Sequence, residues 1–503
     1  MAITGIGSGV AAAVQAQTNM QNHLDTLSRQ LGTGQKAAVY SDLGAQAGVT
    51  VGLDAQLSAI NGYSQTNTTV STTLSIEQAA LTQIASVGNT VQQAAEQPAA
   101  FTLNNNGQTS VQAAAATQLD QILSTLNTQS GDNYLFSGSA VNQPSVATTA
   151  DILNGNGAQA GLTQVISERN QADLGANGLG RLVIPPVVGS TVSMNEDVAG
   201  SPFGFKLAGV TSSLTGATVT QPTGSPSTLT VALGSNPNDG DSIQFTLTLP
   251  DQTTQTISLQ ATSAASPGSD QFAIGATPAA TAANLQAALT TAVGNLAQTA
   301  LPAASAVAAA DNFFSSNPPQ RVAGPPFNTA TALQNGTPAD TVFWYTGESG
   351  ATPARQTATA LVGPDQTISY GMRASEQAIS SLVANVAVLA ATSYSPGNAN
   401  ASASYSALTQ SVASNLSGQQ GTQTIDDIEA DLANAQVTAK NAQDVNQQTQ
   451  STLTDMLQGI NGVSQAQIGA QILSLQNALQ ASYSTSVRLA GLSLVNYLGA
   501  TTG

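Results

Sequence analysis

The sequence predicts an α+β protein in which the N- and C-terminal segments form a long antiparallel α-helical rod, or coiled coil, with a β-rich domain inserted between them. Near both ends, apolar residues recur at steps of three, four or seven, which keeps them on one side of a helix. In the middle of the chain the period changes to two, as expected for strands. The predicted domains are an N-terminal helical rod (1–145), a central β-rich surface domain (146–374) and a C-terminal helical rod (375–503).

Three helices are predicted in the N-terminal segment. The first ends at the Gly-Thr-Gly sequence of residues 32–34, because glycine commonly stops a helix. The second covers residues 45–96 and stops before Pro98. Some 50 residues at 1.5 Å each span about 75 Å, which is too long for an ordinary globular domain and therefore predicts a rod. The third helix follows a turn at residues 104–107.

The central segment is predicted to contain both strands and a short helix. Thr277 and Pro278 are suitable N-cap and first residues for a helix near 279–297. Alternating apolar residues predict a β meander at 229–233, 243–249 and 257–259, and further strands at 341–345 and 366–370.

The C-terminal segment is predicted to be helical from residue 376 onward. A break rich in Ser and Asn is expected at residues 393–404. Two helices then follow, at about 405–458 and 464–496, with the glycine-containing residues 459–462 as the hinge between them.

The apolar stripes on the terminal helices predict a surface for self-assembly, because such a stripe needs an apolar partner. We call these positions the helical seam; its predicted residues are Leu24, Leu27, Leu31, Leu53, Leu57, Ile60, Leu74, Leu81, Ile84, Ile468, Ile472, Leu475, Leu479, Tyr483, Leu494 and Leu498.

Asn67 and Glu77 interrupt the stripe of the second helix at positions that face the seam. Polar residues at such positions can fix the register between helices. A stretch of the helix that is locally exposed to solvent explains them equally well.

The composition favours close packing of identical copies. Only 7% of the 503 residues are charged, so few charges need partners when surfaces are buried. Ten basic residues against 27 acidic ones give a formal net charge of −17, which argues against nucleic acid as a partner, since phosphate binding needs clustered Lys and Arg. The absence of cysteine excludes disulfides, thiolate catalysis and cysteine-ligated zinc.

Neither a cleaved signal peptide nor a membrane span is expected. The first ten residues have no basic region followed by an apolar one. No uninterrupted apolar run approaches the roughly 18 residues of a membrane span. We therefore expect either a cytoplasmic protein or one exported without cleavage of a signal.

No catalytic, cofactor-binding or metal-binding residues are predicted, and we do not expect an enzyme. His23 is the single histidine, and neither a G-x-S-x-G nor an H-E-x-x-H motif accompanies it. The glycine-rich residues 175–180 lack a following βαβ unit and a Walker lysine, so they predict a loop rather than a phosphate site.

Two groups of carboxylates lack the spacing of a calcium loop. Asp426, Asp427, Glu429 and Asp431 fall near the start of a predicted helix, where negative charge complements the helix dipole. A second group, Asp239 and Asp241, is interpreted as turn-forming.

Several segments resemble the bacterial flagellin family. The sequence LSRQLGTGQK at residues 27–36 resembles the L-S-T-G segment that closes the first helix of flagellins and of the hook-associated junction protein. YSDL at residues 40–43 stands where those families carry Ser-Asp-Asp or Ala-Asp-Asp, and the second acid is missing here.

Further segments resemble the hook-associated protein 3 group within that family. They are GDNYLFSG (131–138) with Pro144, WYTGE (344–348), ISYGMRA (368–374), and the C-terminal stretches LQNALQASY (475–483) and LSLVNYL (492–498). The resemblance covers the first 145 or so residues and the last 165.

This resemblance implies a structural subunit of the bacterial flagellum, with the junction between hook and filament as its place. It also implies export in unfolded form through the flagellar type III channel, assembly outside the cell for motility, and terminal helices packed in the tube wall. The implied partners are further copies of the chain, adjoining hook-associated proteins, flagellin and an export chaperone, without nucleic acid or membrane insertion. Two alternatives stay open: a filament flagellin proper, and an adhesive or glycan-binding module carried by the central insert.

Overall fold

The computed structural model describes the backbone of residues 3–98, 100–418 and 421–499, and the side chains of 9–98, 100–418, 421–488 and 491. Its described residues fall into two compact units. The terminal unit comprises Met1–Val70, Ala360–Ile368 and Val437–Gly503, and the main unit comprises Ser71–Thr359 and Ser369–Gln436.

The predicted α+β class is confirmed, with long helices in both terminal segments and strands between them. In chain order the α-helices are α1 (Ile3–Thr33), α2 (Ala47–Glu96), α3 (Ser110–Leu126), α4 (Thr149–Asn154), α5 (Leu162–Leu174), α6 (Pro278–Gln298), α7 (Ala300–Phe314), α8 (Gln377–Ala391), α9 (Ala401–Leu416), α10 (Ile425–Asn461) and α11 (Gln465–Gly499). Short 3-10 helices cover Tyr40–Gln46, Phe327–Thr329 and Ala354–Thr357.

The strands form two four-stranded sheets and three short hairpins. They are β1 (Gln129–Ser130), β2 (Asn133–Tyr134), β3 (Leu182–Val183), β4 (Thr191–Glu196), β5 (Lys206–Ser212), β6 (Ala217–Thr223), β7 (Thr228–Leu233), β8 (Ser242–Thr248), β9 (Thr254–Thr262), β10 (Gln271–Ala273), β11 (Gln320–Val322), β12 (Leu333–Asn335), β13 (Thr359–Gly363) and β14 (Gln366–Ser369). The sheets have the orders β3-β4-β7-β6 and β10-β9-β8-β5, and the hairpins are β1-β2, β11-β12 and β13-β14.

In the terminal unit, α1 and α11 lie side by side in opposite directions, as predicted. Gln21 Nε2 donates to Tyr483 Oη at 2.6 Å, and an antiparallel bridge joins Gln35 to Gly462 at the other end of the pair. Gly34, with a φ of 71°, ends α1 in the left-handed conformation that glycine tolerates best. Two residues later, the backbone N–H of Lys36 donates to the Asn461 carbonyl oxygen at 2.7 Å.

The terminal unit also contains the first part of α2 and the last part of α10, again antiparallel. Gln450 Nε2 donates to Asn61 Oδ1 at 2.9 Å, whereas Asn67, further along α2, reaches Ala439 on α10. Most of the β13-β14 hairpin also belongs to this unit. Buried Asn446 on α10 holds it, because its Nδ2 atom donates to the Val362 carbonyl oxygen at 2.8 Å.

The β-rich part of the main unit is built around α6. This helix packs against strands of both four-stranded sheets and presents Leu285, Leu289 and Val293 to their shared apolar core. Strands β7 and β8 alternate buried and half-buried or exposed residues, which is the period-2 pattern that the sequence predicts. Gln221 joins the neighbouring edges of β6 and β5, because its side chain accepts from Val210 N at 3.1 Å and donates to Val210 O at 2.6 Å.

The helical part of the main unit packs α3 against α8, α5 against α7, and α7 against both α8 and α9. Helix α3 begins with a capping box in which Thr109 and Gln112 exchange side-chain and backbone hydrogen bonds. Helix α8 is buried over most of its circumference, in keeping with its almost uninterrupted apolar sequence.

The structure differs from the predicted elements at three places. Helix α7 has no counterpart among the predicted elements; its Pro302 lies in the first turn, where the missing N–H costs nothing. The predicted helix 405–458 is broken because Gly418 and Gly421 both adopt a positive φ. Residues 341–345 form isolated bridges at Thr341 and Tyr345 instead of a strand.

Candidate assembly surface

The structure distributes the predicted seam residues among three environments. Leu27, Ile60, Leu74, Leu81, Ile84, Ile468 and Leu479 are buried. Leu24, Leu53, Leu57, Ile472 and Leu475 are half-buried, and Leu31 and Tyr483 are exposed. The side chains of Leu494 and Leu498 lie outside the described residues. Much of the predicted seam is therefore covered by the chain's own helices.

Exposed apolar side chains are concentrated in the terminal unit. Among the described residues, all the large exposed hydrophobics except Leu174, Val183 and Val188 belong to this unit, although it is the smaller of the two. They are Val10, Val14, Leu31, Val39, Tyr40, Val49, Val51, Leu361, Val437, Val445, Met456, Leu473, Tyr483 and Val487. Such a concentration is typical of a protein interaction surface.

Helix α11 carries the two most exposed of these side chains. Val487 is 70% exposed and Leu473 is 63% exposed. They lie 14 residues apart, which is two heptads, so both project from similar sides of the helix. Leu473 is not in the predicted seam, because the apolar stripe used for the seam passes through the neighbouring residue Ile472. The sequence signal for Leu473 is Val487, an apolar residue two heptads further along the same helix.

Asn67 is buried in the terminal unit, so the alternative of a solvent-exposed position is wrong for it. Its Nδ2 atom donates to the Ala439 carbonyl oxygen at 2.6 Å, and its side chain has no exposed surface. A buried amide that bonds to the neighbouring helix is the arrangement expected of a register-fixing residue.

Glu77 is buried in the main unit and is 2% exposed, which excludes the solvent-exposed alternative for it as well. Burial raises the pKa of its carboxyl group well above the ordinary value; Arg355 opposes this shift and Glu376 adds to it. Burial and, to a smaller extent, the charge of Glu77 raise the pKa of Tyr370. Arg355 is itself bound to Glu376 at 2.5 Å and lies 3.6 Å from Asp431, so it does not neutralise Glu77 fully.

We expect Glu77→Gln to make the main unit less sensitive to alkaline pH. A carboxyl group with a raised folded-state pKa contributes stability below its unfolded pKa, and this contribution is lost as pH rises through the folded value. The variant should therefore unfold at nearly the wild-type temperature near pH 4 and at a higher temperature near pH 8. Thermal unfolding followed by the fluorescence of Trp344 measures this, since it is the single tryptophan and lies in the main unit. An equal change at both pH values would contradict the assignment.

Three of the sequence segments used for the family resemblance meet in the main unit. Residues 137 and 373 form an antiparallel bridge, and Gly138 N donates to the Met372 carbonyl oxygen at 2.9 Å. Glu348 N donates to the Ser137 carbonyl oxygen at 2.9 Å, and its carboxylate binds Arg373. Segments that lie more than 200 residues apart thus form one contiguous structure, with Phe136 and Trp344 buried beside it.

A buried ion pair supports the region between α5 and the sheets. Arg169 Nε lies 2.7 Å from Asp173 Oδ2, and both side chains are almost fully buried. Burial raises the pKa of Asp173 despite the opposing effects of Arg169 and of the Gly204 N–H, which donates to Asp173 Oδ1 at 2.8 Å. The guanidinium also lies 5.1 Å from the ring centroid of Phe203.

Every basic residue of the main unit takes part in an ion pair. The pairs are Arg169–Asp173, Arg181–Asp197, Lys206–Glu196, Arg321–Glu168, Arg355–Glu376 and Arg373–Glu348. Since this unit carries 21 acidic residues, most of its carboxylates have no cationic partner among the described residues.

The other singled-out residues have structural roles. Asp426 and Asp427 lie in the first turn of α10, where Thr424 donates to Asp427 through its backbone N–H and hydroxyl and lowers the pKa of that carboxyl. Asp239 and Asp241 accept backbone hydrogen bonds in turns, as interpreted from the sequence, and these bonds lower their pKa values. His23 is exposed on α1.

Residues 175–180 form a loop after α5, as predicted. Within the described ranges, no group of His, Cys, Asp and Glu side chains is arranged to hold a metal ion. The same part of the chain contains no helix with the length and apolar character needed to span a membrane.

Comparison with known proteins identifies the N-terminal part of the chain. Residues 9–141 match the family model of the bacterial flagellin N-terminal helical region. This part of the chain is therefore similar to the N-terminal helical region of bacterial flagellins. No curated protein matches the chain.

The match supports the bacterial flagellin family and, with it, the role of a structural subunit of the flagellum. Flagellins assemble into a polymer outside the cell, and the family is structural rather than enzymatic. The matched region contains most of α1 and all of α2 and α3, and it includes the exposed residues Val10 and Val14.

Proposed function

We propose that this flagellin-type chain is a structural subunit of the junction between the flagellar hook and its filament. In this proposal, residues 1–145 and 375–503 supply the contacts between subunits, and residues 146–374 supply a surface domain. Copies of the chain associate with one another and with adjoining hook-associated proteins and flagellin. Export proceeds with the help of a chaperone.

The observation that carries the assembly role is the concentration of exposed apolar side chains in the terminal unit. This unit combines part of the flagellin N-terminal region with α11 from the other end of the chain. Only four of its residues are Lys or Arg and six are Asp or Glu, so packing against like copies desolvates few charges. Apolar area with few charges is the composition of the core of a stable interface.

The junction position is favoured over the filament by the resemblance of residues 131–138, 344–348 and 368–374 to the hook-associated protein 3 group. Ser137, Glu348 and Arg373 contact one another, so the three segments form one contiguous part of the fold. This supports the preference, because the resemblance then concerns one structural element and not three unrelated stretches. A filament flagellin remains the alternative, since its terminal helices would also need exposed apolar surfaces.

Immunogold labelling of intact flagella with an antibody against the main unit distinguishes these two positions. We expect label confined to the hook-proximal end of the filament. Label along the whole filament would replace the junction assignment by that of a filament flagellin, and label absent from purified flagella would contradict both.

A further inference from the structure

A polar cleft opens on the main unit, between segments that include the 344–348 stretch. Its volume is about 440 Å³, and its lining comes from residues 147–159, from Asn317 and from residues 338–349. Sites for small molecules typically measure about 300–1,000 Å³. The cleft is therefore large enough for a small ligand.

The walls of the cleft are fixed by hydrogen bonds between distant segments. Tyr345 forms an antiparallel bridge with Val146, and its hydroxyl donates to the Glu348 carbonyl oxygen at 3.1 Å. Gln159 Nε2 donates to the Pro338 carbonyl oxygen at 2.6 Å and joins the two sides. The half-buried Tyr345 ring is thus positioned before any ligand arrives, which reduces the entropy lost on binding.

Several polar groups in the cleft keep hydrogen-bonding capacity. Within the described part of the protein, the side-chain amides of Asn156 and Asn317 form no hydrogen bond, and both side chains are exposed. Asp151 accepts one hydrogen bond, from Thr148 Oγ1 to its Oδ2 atom at 2.8 Å. Its other oxygen can accept from a ligand, while each amide can both donate and accept.

The charge of the lining restricts the class of ligand. None of the described residues that line the cleft is basic, and Asp151 contributes a negative charge. A phosphate, sulfate or carboxylate would meet repulsion without a compensating cation. A neutral molecule that carries many hydroxyl groups and one apolar face matches both the amides and the aromatic rings of Phe343 and Tyr345.

We propose that this cleft binds a neutral carbohydrate. Sugar hydroxyls donate to Asp151 and exchange hydrogen bonds with Asn156 and Asn317, and the C–H face of a sugar ring packs on the Tyr345 side. The proposal does not depend on the position of the subunit in the flagellum, because the cleft lies within the main unit of a single chain.

Saturation-transfer NMR on the full chain in monomeric form tests the proposal. The neutral probes are maltose, lactose and chitobiose at millimolar concentration, and sialyllactose is the anionic counterpart of lactose. We expect signal transfer to at least one neutral disaccharide and weaker transfer to sialyllactose than to lactose. The absence of transfer to all three neutral probes, or stronger binding of sialyllactose, would overturn the proposal.

Matched variants locate the binding. Asn156→Ala and Asn317→Ala should each weaken binding by up to about tenfold, because one hydrogen bond contributes roughly 0.5–1.5 kcal/mol and a factor of ten is about 1.4 kcal/mol. Asn154→Ala is the control, since this exposed asparagine lies two residues from Asn156 but does not line the cleft. Unchanged binding in both cleft variants, or equal weakening in the control, would place the sugar elsewhere and reject the proposal.

Discussion

Arg169→Met is expected to lower the free energy of unfolding of the main unit by about 3–5 kcal/mol, which is the usual cost of removing one partner of a buried ion pair. The variant leaves the carboxylate of Asp173 buried, with the Gly204 N–H still donating to its Oδ1 atom. Methionine keeps an apolar contact with Phe203, so the loss reports mainly on the charge. Guanidinium unfolding followed by Trp344 fluorescence measures the change.

A double variant separates the effect of the charge from that of packing. Arg169→Met combined with Asp173→Asn removes both charges and keeps an oxygen that accepts from Gly204 N. We expect this double variant to recover most of the lost stability, because no unpaired charge is then buried. If the double variant is as unstable as Arg169→Met alone, the lost stability comes from the packing of the arginine side chain and not from the unpaired charge of Asp173.

Leu473→Asp is expected to abolish incorporation of the subunit into flagella without unfolding it. Leu473 is 63% exposed, so the monomer should lose less than about 0.5 kcal/mol of stability. In an assembled interface the same carboxylate would be buried without a partner, at a cost of several kcal/mol. The measurement is the amount of subunit in purified flagella of a strain that carries only the variant gene, together with swimming in soft agar.

Ser474→Asp provides the matched control for this experiment. Ser474 is the next residue of α11, is also exposed, and receives the same charge without loss of an apolar side chain. We expect near-normal assembly for this control and helical circular dichroism of wild-type strength for both monomers. Wild-type amounts of the Leu473→Asp subunit in flagella would exclude Leu473 from the interface between subunits.

The fold class and most long elements can be predicted from the sequence because their signals are local. The 3.6-residue period, Gly34 and Pro98 predict the end of α1 and both ends of α2 to within about two residues, and Thr277-Pro278 predicts the start of α6. Helix α7 was missed because its stability depends on burial among α5, α8 and α9, which no local pattern reveals. The break before α10 depends on the positive φ angles of Gly418 and Gly421. Glycine permits this conformation but does not require it, so the sequence alone does not predict the break.

The candidate site was less predictable than the fold. The heptad pattern identifies apolar positions on the helices, but it does not distinguish a stripe that the same chain covers from one that stays exposed. Leu479 and Leu473 lie on one helix, and only the structure separates the buried one from the exposed one. For the same reason the sequence left Asn67 and Glu77 undecided, since burial depends on residues hundreds of positions away.

The complete pairing of the basic residues in the main unit has a consequence for a ring or tube of many copies. Each copy adds a negative electrostatic field that its own arginines and lysine do not offset, and these fields overlap where copies are close together. At 0.15 M salt the Debye length is about 8 Å, so dissolved counterions screen this repulsion. Dilution of the surrounding medium would extend the repulsion between neighbours, so in the proposed assembly the ionic strength of the medium acts on the cohesion between copies.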